Sequence, residues 1–185
     1  MSETIGNVST QEWLGAHRLP DQRLVRFRRI QSSDEALITT AINSASPETL
    51  LHRFFSPVRQ VSPEMLRRML SFDPQRETCI VGLVETTTAP RLICGARYVK
   101  LAATGRAEIA LTVHDDFQRA GLGIFMLRLL ARLAAQDDVK FFTAEVLSSN
   151  DKMLRLLRKI SAGGGQGAWS GEVYHAEIPI AQLLP

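Results

Sequence analysis

The fold of this chain is decided by the stretch Val113-His114-Asp115-Asp116-Phe117-Gln118-Arg119-Ala120-Gly121-Leu122-Gly123-Ile124, which joins a predicted strand to a predicted helix. Residues 108–113 before it are strand-like, and an amphipathic helix follows it. The unpaired N–H groups and the positive dipole end of a helix favour an anion at its first turn. Because Gly121 and Gly123 have no Cβ atom, a phosphate can approach the backbone closely there. The stretch therefore predicts an anion-binding turn.

The helix after this turn is predicted by the spacing of its apolar side chains. They recur at i, i+3, i+4 and i+7, namely at Leu122, Phe125, Met126, Leu129, Leu130, Leu133 and Ala134. The turn is not a Gly-x-Gly-x-x-Gly dinucleotide fingerprint, because Gln118 occupies the first glycine position. It is not a Walker A loop either, because no Gly-Lys-Ser/Thr follows.

The pattern Gln118-x-x-Gly121-x-Gly123 resembles the Gln/Arg-x-x-Gly-x-Gly/Ala acyl-CoA signature of the GNAT N-acetyltransferase superfamily. Residues 107–113 resemble the fourth strand of that family, with its acidic position at Glu108, and residues 141–147 resemble its fifth strand. Asn150 matches the polar residue that opens the next helix of the family. The resemblance covers roughly residues 24–160. The alternative is a strand–turn–helix unit that serves packing alone.

A second resemblance concerns Ser46-Pro47-Glu48-Thr49-Leu50, which runs on to Arg53-Phe54-Phe55. This segment is similar to the corresponding helix of bacterial protein lysine acetyltransferases of the Pat type. In the family fold, the helix flanks the acceptor side of the cleft. The alternative is an ordinary amphipathic helix with a Ser cap and Pro at its first position.

Composition bounds the class of protein. The chain has 185 residues, 45% apolar residues and a net charge of +3, which is too mild to argue for a nucleic-acid partner. We find no apolar run of membrane-spanning length and no signal peptide, so we expect no membrane partner. The two cysteines, Cys79 and Cys94, lie in strand-like runs. They predict buried thiols in a reducing cytoplasm rather than a disulfide framework or a metal cluster.

The order of elements predicts a mixed α/β domain. We expect a tail over residues 1–22 and a single GNAT acetyltransferase domain over residues 23–185, whose mostly antiparallel central sheet is flanked by helices. The resemblance implies that the fourth and fifth strands splay apart and admit the pantetheine arm of the cofactor. The expected elements are strands at 24–30, 78–84, 92–101, 106–113, 140–147 and 171–180, helices at 33–43, from 47, from 63, from 122 and at 150–160, and a flexible glycine-rich loop at 161–167.

Acetyl transfer to an amine requires a base, because a protonated amine is not a nucleophile, and a donor for the developing oxyanion. The resemblance implies that Glu108 is the base, acting through water, and that the backbone N–H of Val113 is the oxyanion donor. For Glu108 the alternative is an exposed strand residue paired with a neighbouring arginine, and for Val113 it is an ordinary strand position. The resemblance also implies cofactor contacts at Leu111, Thr112, Val113, Gln118, Arg119, Ala120, Gly121, Leu122, Gly123, Ile124 and Asn150.

The sequence departs from the family pattern after Asn150. Leu157 stands where the family often carries a tyrosine acid, and Tyr98 and Tyr174 lie elsewhere. Water would then protonate the departing thiolate, which a thiol pKa of about 8.5 allows. The run His114-Asp115-Asp116 is interpreted as hydrated turn residues rather than a metal site.

These features predict an acetyl-CoA-dependent N-acetyltransferase that acts by direct attack in a ternary complex, without a metal. The resemblance to Pat-type enzymes implies a protein lysine as acceptor, and we expect Arg53, Arg67 and Arg68 to pair with acidic groups on it. A small-molecule amine acetyltransferase is one alternative, and a non-catalytic acyl-CoA-binding regulatory module is another. Oligomeric state leaves no signature in the sequence.

Overall fold

The computed structural model describes residues 12–102, 104–161 and 166–184. Its strands are β1 (Gly15–Arg18), β2 (Leu24–Arg29), β3 (Glu77–Val84), β4 (Arg91–Leu101), β5 (Arg106–Val113), β6 (Phe141–Leu147), β7 (Gln166–Ser170) and β8 (Val173–Pro179). Its helices are α1 (Glu35–Asn43), α2 (Pro47–Phe54), α3 (Pro63–Leu70), α4 (Leu122–Gln136) and α5 (Asp151–Ser161). None of the helices in these ranges is long and apolar enough to cross a membrane.

The strands form one sheet in the order β1-β2-β3-β4-β5-β6-β8-β7. Neighbours pair antiparallel except β5 and β6, which run parallel. The predicted fold class, a mixed and mostly antiparallel sheet flanked by helices, is confirmed. Because β1 precedes the first predicted strand, the fourth and fifth strands of the family fold are β5 and β6 here.

The helices cover the two faces of the sheet. On one face, α4 and α5 bury side chains such as Met126, Leu130 and Leu157 against the strands. On the other, α1, α2 and α3 pack a smaller apolar cluster that includes Ile38, Leu50 and Leu66. Each fully buried Leu or Met side chain contributes about 1.5–3 kcal/mol relative to its exposed state. The two apolar layers hold the middle strands in place from both sides.

The prediction of an N-terminal tail over residues 1–22 is wrong for Gly15–Arg18, which form the edge strand β1 and pair with β2. Residues 1–11 of that prediction lie outside the described part of the chain. Four residues are too few to show a period of two, and β1 depends on tertiary contacts. His17 Nε2 lies 2.7 Å from the carbonyl O of Ala120. The backbone N–H of Leu14, just before β1, donates to the carbonyl O of Phe27 at 2.8 Å.

The prediction of a loop over residues 161–167 is wrong at its end, because Gln166 begins β7. Residues 162–165 lie outside the described part of the chain. Gly167 pairs with Ala176 of β8. A Cβ atom at Gly167 would overlap the ring and hydroxyl of Tyr174, so this glycine allows the close approach of the two strands.

Cys79 and Cys94 are free thiols, half-buried and buried respectively. Burial raises the pKa of the Cys79 thiol to about 11 and raises the pKa of the Cys94 thiol well above its usual range. Both side chains therefore stay protonated at neutral pH, where only a thiolate is a good nucleophile.

Candidate active site

The parallel ladder between β5 and β6 ends partway along both strands. Its last pair is Glu108 with Thr143, although β5 continues to Val113 and β6 to Leu147. The predicted splay between these two strands is thus confirmed. A cavity of about 580 Å³ occupies the gap, and residues of α2, α4 and α5 complete its walls.

Glu108 lies at the apex of this gap, as the last residue of β5 that pairs with β6. Its side chain is exposed and lines the cavity. Within the described ranges, Glu108 forms no hydrogen bond or ion pair, and the arginine partner considered from the sequence is not present. The carboxylate is therefore free to meet a ligand or a water molecule in the cavity.

The backbone of β5 beyond Glu108 has one edge toward the cavity. The His114 N–H donates to the carbonyl O of Ile93, at the β4 side, at 2.8 Å. Because successive backbone N–H groups of a strand point to opposite sides, the N–H of Val113 points toward the gap. The edge residues Leu111, Thr112 and Val113 all line the cavity.

The Gln118 side chain lines the cavity and also forms hydrogen bonds that fix the end of β5. Its amide Nε2 donates to the carbonyl O of Val113 at 3.1 Å and to Thr49 Oγ1 of α2 at 3.2 Å. The side chain thereby joins the strand end, the turn and α2. A cofactor could therefore contact Gln118 through its backbone, or through its amide nitrogen once one of these hydrogen bonds is broken.

The first turn of α4 borders the same cavity. Gly121 precedes the helix at φ +81°, a conformation that L side chains rarely adopt. The first hydrogen bond at this end runs from the N–H of Phe125 to the carbonyl O of Gly121 at 3.1 Å, so the N–H groups of Leu122, Gly123 and Ile124 have no partner within the helix. Arg119, Gly121, Leu122, Gly123 and Ile124 all line the cavity.

Two of these positions also serve packing. A Cβ atom at Gly121 would lie 3.2 Å from His17 Cε1, and one at Gly123 would lie 3.0 Å from Leu156 Cδ2 of α5. Ala120 is the predicted cofactor residue that is absent from the cavity wall, and its carbonyl O faces His17 instead. The two glycines thus leave room for the neighbouring side chains of His17 and Leu156.

Asp115 anchors α2 beside the cavity. It accepts hydrogen bonds from the Ser46 N–H, the Ser46 hydroxyl and the Thr49 hydroxyl, each at 2.8 Å. Burial works to raise the pKa of Asp115, but the bonds from Ser46 and Thr49 outweigh it and lower the pKa below its ordinary value of 3.8. Asp115 is therefore an ionised structural anchor, and its interpretation as a hydrated turn residue is wrong.

His114 is also buried rather than hydrated. Its Nε2 lies 3.1 Å from Ser44 Oγ and 3.0 Å from Arg91 Nη2, and only Asp116 of the three turn residues is exposed. No group of three His, Cys, Asp or Glu side chains in the described ranges is arranged to hold a metal ion.

Helices α2 and α5 supply a further wall of the cavity, and α2 was expected beside the cleft from its resemblance to the Pat-type helix. His52 Nε2 lies 3.1 Å from Ser149 Oγ in the turn before α5, and Lys152 Nζ of α5 lies 3.7 Å from Glu48 Oε1, so polar contacts join α2 to the start of α5. The wall residues from these helices are Thr49, His52, Arg53, Phe54, Lys152, Met153, Leu156 and Lys159.

Arg53 was grouped with Arg67 and Arg68 from the sequence, but it lines the cavity instead. It follows the buried Leu50 at i+3, a spacing that places both on the same face of α2. That spacing was the signal in the sequence that could have identified it.

As predicted, Asn150 stands at the start of α5, immediately before Asp151, and it also lines the cavity. Its Oδ1 accepts the N–H of Met153 at 3.1 Å. Neither Tyr98 nor Tyr174 is among the described residues that line it. Burial and a 2.5 Å hydrogen bond to Asp137 Oδ2 raise the pKa of Tyr98 to about 12, so this phenol is a structural donor.

Comparisons with known proteins identify the family and the fold. Residues 45–161 match the family model described as the acetyltransferase (GNAT) family. An acetyltransferase of Pseudomonas aeruginosa is 29% identical over 136 residues, which are 74% of this chain and 72% of that protein. The acetyltransferase Pat of Mycolicibacterium smegmatis is 32% identical over 141 residues, which are 76% of this chain but only 41% of that protein.

Two solved structures illustrate the shared fold. The GNAT domain of S. lividans PAT superposes with a TM-score of 0.77 at 23% identity, covering 89% of this chain and 96% of that one. A spermidine N-acetyltransferase from Vibrio cholerae, solved with CoA and spermine, superposes with a TM-score of 0.66 at 14% identity, covering 86% and 97%. At these identities the likeness concerns the fold.

Proposed function

Because this chain belongs to the GNAT family of acetyltransferases, we propose that it transfers an acetyl group from acetyl-CoA to a primary amine in a ternary complex. One observation carries the proposal: the β5–β6 ladder ends at Glu108, and the gap beyond it is bordered by the free N–H groups of the first turn of α4. A carboxylate, an unpaired strand edge and an anion-binding turn thus share one cavity.

The residues present fit acetyl-CoA. The edge of β5 at Leu111 and Val113 can pair with the pantetheine amides as an added strand would. The N–H groups of Leu122, Gly123 and Ile124 can bind the pyrophosphate at the positive end of α4. Asn150, at the start of α5, borders the same space and can contact the pantetheine arm. The cosubstrate supplies an activated thioester carbonyl.

Glu108 accepts the proton of the acceptor ammonium through a water molecule, which leaves a neutral amine. The amine nitrogen then attacks the thioester carbonyl and forms the C–N bond. The N–H of Val113, directed to the gap, stabilises the oxyanion. When the C–S bond breaks, the thiolate takes a proton from water, and the hydroxide left behind takes the second proton of the attacking nitrogen, so that a neutral amide and CoA are released. The scheme needs no tyrosine acid, because water supplies this proton, and Leu157, where the family often carries that tyrosine, is a buried apolar side chain.

We propose a protein lysine as the acceptor. Support comes from the 46–55 segment, which is similar to the Pat-type helix, and from the similarity to Pat of M. smegmatis. Arg67 and Arg68 are exposed on α3, next to the helix that lines the cavity, and can meet acidic groups of a protein. A small amine is the alternative acceptor. The free Glu108 favours an enzyme over a regulatory module that only binds acyl-CoA. We place the reaction in the cytoplasm.

The experiment is a steady-state assay of CoA release with lysine-bearing proteins and with a panel of polyamines, amino sugars and amino acids. Mass spectrometry of the lysine-bearing proteins identifies the acetylated lysines. We expect modified lysines at rates above the chemical background. If one small amine turns over rapidly and no protein is modified, the proposal of a protein lysine is wrong and the acceptor is the small amine. Tight binding of acetyl-CoA without any transfer would favour the regulatory module.

A further inference from the structure

A second, smaller cavity lies under α1, α2 and α3, on the face of the sheet opposite α4. Its volume is about 100 Å³, and most of its wall is apolar. Arg53, Phe54, Ala110 and Thr112 line both this cavity and the larger one. The two spaces therefore meet at these side chains, and Arg53 is the charged group at the junction.

Arg53 carries a charge with no partner. Among the described residues it forms no hydrogen bond or ion pair, and its Cζ atom lies 5.2 Å from the centre of the Phe54 ring. Burial lowers the pKa of its guanidinium, and the like charge of Arg97 lowers it further, against the opposing charge of Glu108. A half-buried guanidinium on a cavity wall that forms no hydrogen bond or ion pair with the described residues has all of its donors available for an anionic group of a ligand.

Two more groups near the junction lack partners. The side-chain hydroxyl of Thr112 and Nε of Arg97 are both buried without a hydrogen bond in the described ranges. Another nitrogen of Arg97 pairs with Glu77. Arg97 pairs with Ala110 across β4 and β5, so Thr112 stands two residues further along the same face. Arg53 and Thr112 thus border both cavities with side-chain donors that have no hydrogen-bond partner among the described residues, whereas Arg97 is held by Glu77.

We propose that Arg53 binds a carboxylate carried by the acceptor, beside the amine that is acetylated. A planar guanidinium matches a carboxylate with two parallel hydrogen bonds, and the Thr112 hydroxyl adds a third donor. The cosubstrate phosphates do not compete for this place, because their donors lie at the start of α4. The inference rests on the proposed function. The carboxylate belongs either to an acidic side chain next to a target lysine or to the α-carboxyl of a free amino acid.

Binding of bisubstrate conjugates tests this without turnover. CoA is joined through an acetyl bridge to the side-chain amine of lysine in two matched pairs. The first pair is the capped peptides Gly-Lys-Glu and Gly-Lys-Gln, and the second is free lysine and lysinamide. Calorimetry should show that wild-type protein binds the carboxylate member of one pair at least about tenfold more tightly, and that pair identifies the source.

Arg53→Gln should abolish this discrimination, and Arg53→Lys should keep part of it, because the charge remains without the bidentate geometry. Arg128→Gln, on the exposed face of α4, removes the same charge outside the cavity wall and should change nothing. Equal binding within both pairs by the wild-type protein, or discrimination that survives in Arg53→Gln, would overturn the inference while leaving the acetyltransferase proposal intact. If CoA itself does not bind, both proposals fail.

Discussion

Glu108 is the side chain on which the proposed chemistry depends most directly. Glu108→Gln keeps the shape of the side chain and removes its basicity, so turnover should fall by about 10²–10⁴-fold while acetyl-CoA affinity stays near that of the wild type. CoA release and calorimetry provide the two measurements. Glu35→Gln, exposed at the start of α1, is the control. Unchanged turnover with an unchanged pH profile would make Glu108 an ordinary strand residue.

Gly123 tests the approach of the cofactor to the first turn of α4. Gly123→Ala places a methyl group beside the free N–H groups, and we expect acetyl-CoA affinity to fall at least about tenfold, which corresponds to about 1.4 kcal/mol. The new Cβ would also lie 3.0 Å from Leu156 Cδ2. A second pair of proteins therefore compares Leu156→Ala with the double variant Gly123→Ala/Leu156→Ala, in which that contact is relieved.

Calorimetry with acetyl-CoA on both pairs shows whether Gly123→Ala weakens binding by obstructing the phosphate or by displacing α5. A loss of affinity that persists in the Leu156→Ala background comes from the obstructed phosphate. A loss that disappears there comes from the displaced α5 helix, and the predicted phosphate contact at Gly123 would then be rejected.

At the scale of the element, α2 is positioned by a carboxylate that lies outside it. Asp115→Asn weakens the bonds to Ser46 and Thr49, and at pH 7 the free energy of unfolding should fall by about 1–2 kcal/mol. Because the pKa of Asp115 is lowered on folding, its contribution is complete above its ordinary pKa of 3.8 and is lost as the pH falls further. The two proteins should converge in stability under acid.

Denaturant unfolding at a series of pH values measures this difference. Asp116→Asn is the matched control, because Asp116 is exposed and its pair with Arg91 spans 3.2 Å. An exposed pair of this kind contributes at most about 1 kcal/mol. A constant difference between wild type and Asp115→Asn down to low pH would show that Asp115 does not anchor α2 as an ionised group.

At the scale of the whole molecule, the proposed protein acceptor needs a surface outside the cavity. Arg67 and Arg68 are exposed on α3, where Arg68 makes only a solvent-exposed pair with Glu64 at 2.7 Å. Replacing both arginines by glutamate should lower kcat/KM for protein acceptors, because exposed charges steer association. The decrease of kcat/KM with added salt should also become smaller, because salt then has less attraction to screen. Acetyl-CoA affinity should not change.

The matched control for this double reversal is Arg155→Glu with Arg158→Glu, on the exposed face of α5 and outside the cavity wall. It changes the net charge by the same amount at another place. An equal effect of both double variants would assign the loss to net charge, and the α3 arginines would then have no specific role in acceptor docking.

Most elements could be predicted because their signals are local. The period of apolar residues identified α4, and Ser-Pro pairs identified the starts of α2 and α3, where Ser46 and Ser62 accept the N–H of Thr49 and Met65. β1 and β7 could not be predicted, since short edge strands owe their structure to the neighbour with which they pair. β1 has four residues and β7 has five, and β7 begins within a glycine-rich segment, so neither shows a clear local period.

The residues that line the cavity also fall into a group that the sequence could predict and a group that it could not. Residues from Leu111 to Ile124 follow one another along the chain, so a single motif predicted the strand edge, the turn and the helix start together. Arg53 reaches that space from a helix more than fifty residues earlier. The sequence alone determined which faces of α2 and α5 are apolar, because periodicity is a property of neighbouring residues. Only the tertiary structure decided that Arg53 lies between two cavities, because that depends on what each face is packed against.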